Sequence, residues 1–376
     1  MKAKLLVFML FYLITTTLFA QNNEYKVNVN LTGISDSLCI YFCQATNPNN
    51  IDTDYVYGND TFKKTYTGSV TEPSSLNIYA FRLENNEFRK YKEIKLFVGN
   101  ENVSVSGDIN DFDIITNSET QQIYNMWVEK LSILTDKMSD VLNRYNRSIG
   151  VVSDSITSAT ILKEYKAYRD KEKQLVSKFI SQHPSSETSA FLLHTYMYKI
   201  QKDSVKILLD KLDKSCVKTS HGKDLKLFTR TKKLVVGDFW HDFDAFDIEG
   251  KEVLFSEIKN IEGKYILLGF SNLGCSPCEN SVSELKNVYD IYNDKLELVT
   301  YFQGITQEGL KGKAKSHNID WTYIGLGKYD KETMFTYGAY GTPKFVLISP
   351  DRKIIYSWGM GYKKGSLLKK VKEYLE

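Results

Sequence analysis

The sequence predicts a multidomain chain of mixed α+β and α/β class: an N-terminal β-sandwich, a helical middle region and a C-terminal α/β domain. Two changes of hydrophobic period carry that prediction. Up to about residue 116, apolar and polar residues alternate in short runs. From 117 to 235 the apolar residues recur at helical spacing, and from 236 onward strand-like and helix-like stretches take turns. A length of 376 residues suits two or three domains. The expected boundaries are a leader at 1–20, a β-rich domain at 21–116, a helical linker domain at 117–235 and an α/β domain at 236–376.

The leader departs from the rest in composition. Lys2 and Lys4 precede an apolar run from Leu5 to Phe19, and Ala20 is followed by the polar Gln21, Asn22 and Asn23. A basic flank, a short apolar core and a small residue form the pattern of a secretory signal peptide cleaved after Ala20. The run is shorter than the roughly 20 residues that a membrane-spanning helix needs. Membrane attachment is therefore expected only if this segment stays uncleaved. The net charge of +3, with lysines well mixed among acids, argues against a nucleic-acid partner.

In the β-rich part, Tyr25 to Leu31 alternate, as do Ile94 to Val98 and Val103 to Ser106. Asn47-Pro48-Asn49-Asn50 and Gly99-Asn100-Glu101-Asn102 read as turns between strands. Regular strands between such breaks predict a sandwich. The middle region opens with a capping box from Ser118 to Gln121. Ile123, Trp127, Leu131, Leu134, Met138 and Val141 then line one helix face. Further helices are expected over 158–181, 187–200, 204–212 and 223–233.

In the last part, 243–246 and 252–255 predict a hairpin around Ile248-Glu249-Gly250. The continuous apolar run Tyr265 to Phe270 predicts a strand covered on both faces. Val282, Leu285, Val288 and Tyr292 trace a helix, and Leu296 to Phe302 the next strand. A hairpin around Pro350-Asp351 and a helix from Ser366 complete a central mixed sheet.

Five cysteines remain: Cys39, Cys43, Cys216, Cys275 and Cys278. That count is neither dense nor even enough for a disulfide scaffold. Cys39 and Cys43 lie four strand residues apart, roughly 13 Å, beyond the reach of about 7 Å between the Cα atoms of a disulfide. They and Cys216 are expected to be buried small apolar residues. Cys275-Ser276-Pro277-Cys278 differs, because it sits where a buried strand meets a helix. A helix N-terminus presents unpaired N–H groups and about half a positive charge, which favours a thiolate. Pro277 belongs in a first helical turn, where its missing N–H costs nothing. Cys275 is expected to be exposed and to attack a substrate disulfide, with the more buried Cys278 resolving the mixed disulfide. Half a zinc site has the same spacing, but no second C-x-x-C or clustered histidine pair accompanies it. His241 beside Asp242, Asp244 and Asp247 reads as a solvated strand edge, and His317 as remote. No metal and no cofactor beyond the redox-active pair is expected.

Across 236–376 the chain resembles the thioredoxin superfamily, specifically its exported TlpA/ResA-like branch. The resemblance rests on Gly237-Asp238-Phe239, on Asp247 to Lys251 and on Gly263-Lys264. It rests further on Phe270 to Cys278 and on Tyr340-Gly341-Thr342-Pro343. It implies a thioredoxin fold, a cis peptide at Pro343 beside the cysteines, and a substrate strand held by the backbone of Thr342, with Ser276 and Pro277 alongside. The upstream part resembles exported fusions that join a β-rich domain to a thioredoxin-like one through helices. The implied function is an extracytoplasmic, periplasmic thiol–disulfide oxidoreductase acting on protein thiols or disulfides of the cell envelope, recharged by an unidentified electron donor. A non-catalytic envelope-binding protein with a degenerate thioredoxin module is the alternative. Three positions depart from the family pattern. Gly269 replaces a buried acid, Ser281 a glutamate after the second cysteine, and Gly274 a tryptophan before the first. No proton acceptor for Cys278 is obvious: Glu279 is expected to face solvent, and Glu284 lies further along the helix.

Overall fold

The computed structural model describes residues 24–44, 47–58, 60–84, 87–149, 155–328, 330–358 and 363–376. The expected signal peptide lies outside the described residues. The chain forms two compact units, one from residues up to 200 with 207–222, the other from 201–206 with 223–376.

The first unit begins with eight strands: β1 (Tyr25–Ile34), β2 (Leu38–Gln44), β3 (Asn47–Val56), β4 (Asp60–Gly68), β5 (Ser74–Glu84), β6 (Glu87–Val98), β7 (Asn102–Asp108) and β8 (Asp111–Thr116). They make two four-stranded sheets, ordered β4-β1-β7-β8 and β3-β2-β5-β6. Alternation along each strand sends one set of side chains into a shared core, where Val27, Val29 and Leu31 of one sheet join Ile40, Leu76 and Ile78 of the other. Burying each such side chain contributes about 1.5–3 kcal/mol. Phe42 stacks on Tyr66 at 4.1 Å between ring centres. Asn47 to Asn50, expected as a turn, belong instead to β3, whose Asn47 pairs with Gln44. The pairing of Asn47 with Gln44 and of Ile51 with Cys43 brackets the stretch, and that ladder outweighs its turn preference.

Five of the helices follow the middle pattern: α1 (Glu119–Ile149), α2 (Ser155–Gln182), α3 (Glu187–Tyr196), α4 (Lys202–Lys211) and α5 (Lys214–Lys218). A sixth, α6 (Ser220–Arg230), leads into the C-terminal part. Unit boundaries fall within α4 and α6, so the helical stretch does not stand as a body of its own. The capping box is only half made. Ser118 Oγ accepts from the Gln121 amide at 3.1 Å, but the fully buried Gln121 side chain accepts from the Phe97 amide of β6 at 2.7 Å. It ties α1 to the sheet rather than closing the box. Buried Glu172 is held by Arg169 and by the Tyr196 hydroxyl at 2.7 Å. Cys39 and Cys216 are buried, as read from the sequence, whereas Cys43 is half-exposed near the end of β2.

The second unit is built on a seven-stranded sheet, ordered β10-β9-β13-β12-β11-β14-β15. Its strands are β9 (Asp244–Asp247), β10 (Glu252–Leu254), β11 (Tyr265–Ser271), β12 (Leu296–Gln303), β13 (Thr322–Leu326), β14 (Lys344–Ile348) and β15 (Ile354–Ser357). The central three, β11, β12 and β13, run parallel, and β14 returns antiparallel to β11. Covered on both faces, β11, β12 and β14 are buried almost throughout. The remaining helices are α7 (Ser276–Tyr292), α8 (Gln307–His317), α9 (Lys331–Tyr337) and α10 (Ser366–Leu375). One face of the sheet packs Ile266, Leu268, Tyr301 and Val346 with Phe243 and Tyr337. The other packs Leu267, Leu298 and Leu347 with Leu285 and Val288 of α7 and Leu367 and Val371 of α10.

Candidate functional site

The site lies at the C-terminal end of β11, where the chain turns into α7. Gly274, with φ +71°, makes that turn, in a backbone region that side chains rarely adopt. This accounts for glycine where a tryptophan was the family expectation. Cys275 is the N-cap of α7, and its sulfur accepts from the Cys278 amide at 3.2 Å. Ser276 and Pro277 occupy the first helical turn, exposed, with Cys275 half-exposed and Cys278 buried at 6% exposure. Cys275 and Cys278 are joined by a disulfide, their Cα atoms 5.2 Å apart. Any thiolate released at Cys275 would sit at the positive end of a seventeen-residue helix.

The loop before β14 closes on the pair. The Thr342–Pro343 peptide is cis. Thr342 Oγ1 donates to Cys275 Sγ at 3.4 Å across 67 residues of sequence. Pro343 is buried and Gly341 exposed. The structure therefore brings Cys275, Ser276, Pro277, Cys278, Thr342 and Pro343 into one place.

Of the two acids weighed as proton acceptors, Glu284 is committed elsewhere. Buried at 5% exposure, it accepts from the amides of Gly365 at 2.8 Å, Leu367 at 2.8 Å and Leu368 at 3.0 Å. These are orphan donors at the start of α10, so the carboxylate anchors that helix to α7. Glu279, expected in solvent, turns instead toward α8. Its carboxylate accepts from Lys313 Nζ at 2.5 Å and meets His317 Nε2 at 2.6 Å. Partial burial pushes the Glu279 carboxyl up, but the Lys313 and His317 hydrogen bonds outweigh it and hold the group below its usual range. The other imidazole nitrogen, Nδ1, meets the Tyr323 hydroxyl at 2.8 Å.

His317 thus bonds the residue that follows Cys278 and lines one small cavity with that cysteine, so the sequence reading of it as remote is corrected. Its helix, α8, carries few apolar residues, so its periodicity is faint in the sequence. The available signal was the spacing of Leu310, Ala314 and His317, which puts the histidine on the face that buries Leu310. The acids around His241 fasten the chain locally. Asp242 accepts from the Ser256 amide at 2.8 Å, and Asp247 from the amides of Glu249 and Lys251. Among the described residues no group of three His, Cys, Asp or Glu is arranged to hold a metal ion.

Gly269, where the family pattern has a buried acid, is explained by its cross-strand partner. It pairs with Phe345 in register, and a Cβ there would stand 2.9 Å from the ring. Phe345 fills the space the acid would need.

Residues 263–354 match a family model described as thioredoxin-like. A thiol-disulfide oxidoreductase ResA of Bacillus thuringiensis subsp. konkukian is 29% identical over 129 residues, covering 34% of this chain and 72% of that relative. The ResA of a Bacillus cereus strain is 28% identical over the same length and shares. Among solved structures, the thioredoxin domain of a thiol-disulfide oxidoreductase from Bacteroides vulgatus is 23% identical with a TM-score of 0.34, covering 38% of this chain and 100% of that one. A thiol:disulfide interchange protein DsbE from Chlorobium tepidum is 20% identical with a TM-score of 0.34, covering 38% and 100%. The C-terminal region of this chain is a thioredoxin-like domain.

Proposed function

We propose that this chain, whose C-terminal region is a thioredoxin-like domain, is a thiol–disulfide oxidoreductase that reduces protein disulfides outside the cytoplasm. The observation that carries the reading is the Cys275–Cys278 disulfide at a helix N-terminus, half-exposed at its first sulfur and faced by the Thr342–Pro343 loop. The likeness to ResA thiol-disulfide oxidoreductases supports the activity, and the basic and apolar leader at 1–20 supports export. Among the described residues no helix is long and apolar enough to cross a membrane.

In the reduced protein, the Cys275 thiolate attacks one sulfur of a substrate disulfide. A Cys275–substrate bond forms, and the other substrate sulfur leaves as a thiolate that takes up a proton. Cys278 then loses its proton and attacks Cys275 Sγ. The intramolecular disulfide forms, and the substrate leaves with both its cysteines reduced. A dithiol donor outside the chain restores the two thiols. In this scheme Thr342 and Pro343 hold the substrate strand, and exposed Ser276 and Pro277 border it. The Cys278→Ser variant should retain its substrate as a mixed disulfide on Cys275. Insulin reduction should disappear in Cys275→Ser. Equal turnover by that variant and wild type, or none by wild type at any redox poise, would overturn the assignment.

A further inference from the structure

Resolution of the mixed disulfide needs the buried Cys278 thiol to lose a proton, and the position of the missing family acid is closed by Phe345. Behind Cys278 lies a small cavity of about 20 Å3, lined among others by Cys278, Thr300, His317 and Tyr323. A cavity needs roughly 10–15 Å3 to hold one water, and that water needs two to four polar partners. Cys278, Thr300 and Tyr323 supply them. The Tyr323 hydroxyl bonds His317 Nδ1, and His317 Nε2 bonds Glu279.

We propose that His317 takes the proton of Cys278 through the Tyr323 hydroxyl and one cavity water, with Glu279 holding the resulting imidazolium. This rests on the thiol–disulfide reading above. In the resting tautomer Nε2–H donates to Glu279 and Nδ1 accepts from Tyr323. The Cys278 S–H bond breaks toward the water and the water passes a proton to Tyr323 Oη. Tyr323 in turn passes its own proton to Nδ1. The net change is one S–H broken and one N–H formed, leaving a thiolate and an imidazolium paired with a carboxylate.

The groups facing His317 suit the role. Glu279 comes from α7, Lys313 from one turn earlier on α8, and Tyr323 from β13. Burial first, and the nearby Glu279 charge second, push the Tyr323 phenol up, so it remains a neutral relay. Lys313 satisfies the second carboxylate oxygen of Glu279, which fixes the face the carboxylate turns to the imidazole. His317 acts on Cys278 through other groups and is a positioning and proton-holding residue.

Stopped-flow reaction of the reduced full chain with dithiobis-nitrobenzoate reads the two steps apart. Attack by Cys275 releases one thionitrobenzoate, and attack by Cys278 on that adduct releases a second. All proteins carry Cys43→Ser, since that thiol is half-exposed. In His317→Gln and in Glu279→Gln the second release should slow about a hundredfold or more at pH 7, the low end of what proton transfer supplies. The first should be unchanged. Above about pH 9.5, where a thiol ionises without help, both variants should converge on wild type. A second release that matches wild type at every pH in both variants overturns the relay. So does one slowed equally at every pH, which marks a structural effect. Absence of any second release in wild type overturns the exchange reading itself.

Discussion

Replacing Glu284 by glutamine isolates what one buried charge does for the fold of the redox domain. Oε1 accepts from the amides of Leu367 and Leu368, and Oε2 from that of Gly365. Glutamine keeps the shape, so no cavity opens. With its oxygen at the Oε1 position, two bonds survive but change from charged to neutral, a loss of about 1 kcal/mol each. Its NH2 then faces the Gly365 amide, donor against donor, and an amide left unsatisfied costs about 1–3 kcal/mol. Losing a negative charge at the start of α10 adds about 0.5 kcal/mol through the helix dipole. The sum is about 3.5–5.5 kcal/mol, a large share of the stability of an ordinary domain. Because the chain has two compact units, a single global transition is the wrong readout. Three of the four tryptophans, Trp240, Trp321 and Trp358, lie in the second unit, and Trp127 lies in the first. Urea unfolding followed by fluorescence in a Trp127→Phe background therefore reports on the redox domain. Glu284→Gln should lower its unfolding midpoint by roughly 1–5 M for a slope of about 1–3 kcal/mol/M. A loss below about 0.5 kcal/mol, the range of a neutral surface change, would refute the claim that this carboxylate pins α10.

Two further outcomes follow from single close contacts. Gly269→Ala places a methyl 2.9 Å from the Phe345 ring and should destabilise the same unit by about 1–3 kcal/mol through overpacking. Gly269→Ala with Phe345→Leu should recover part of the loss, and the same urea assay checks both. Lys344 follows the cis proline and is buried, donating to Ser357 Oγ at 2.7 Å and to the Trp358 carbonyl. Burial first, and the Lys233 charge second, lower its pKa from 10.5 to about 8. Between those pH values the unfolded chain holds the proton and the folded one does not, so stability should rise with pH from about 8 to 10.5. The gain should total about 3 kcal/mol at 1.36 kcal/mol per pH unit, relative to a Lys344→Met variant measured alongside. A difference between the two proteins that stays flat across this window would contradict the placement of Lys344.

The sequence by itself determined the elements whose cause is local. Alternation from Tyr25 to Leu31 identifies a strand with one buried face, because the side-chain period of a strand is two. An unbroken apolar run from Tyr265 to Phe270, followed by Cys-x-Pro-Cys, marks a covered strand entering a helix. The proline in the first turn and the cysteine at the cap are both consequences of orphan amides there. Tertiary structure decided every role that depends on a partner far along the chain. Glu279 and Glu284 are both acids on α7, five residues apart, yet one meets His317 and the other caps the start of α10. Gln121 carries the sequence mark of a capping box but spends its side chain on Phe97 of a strand. Gly269 is glycine because of Phe345, which lies across the sheet. No periodicity encodes such pairings, since hydrogen bonding and packing act through space. Local pattern sets which face of an element is buried, and only the packing of faces sets what each buried polar group meets.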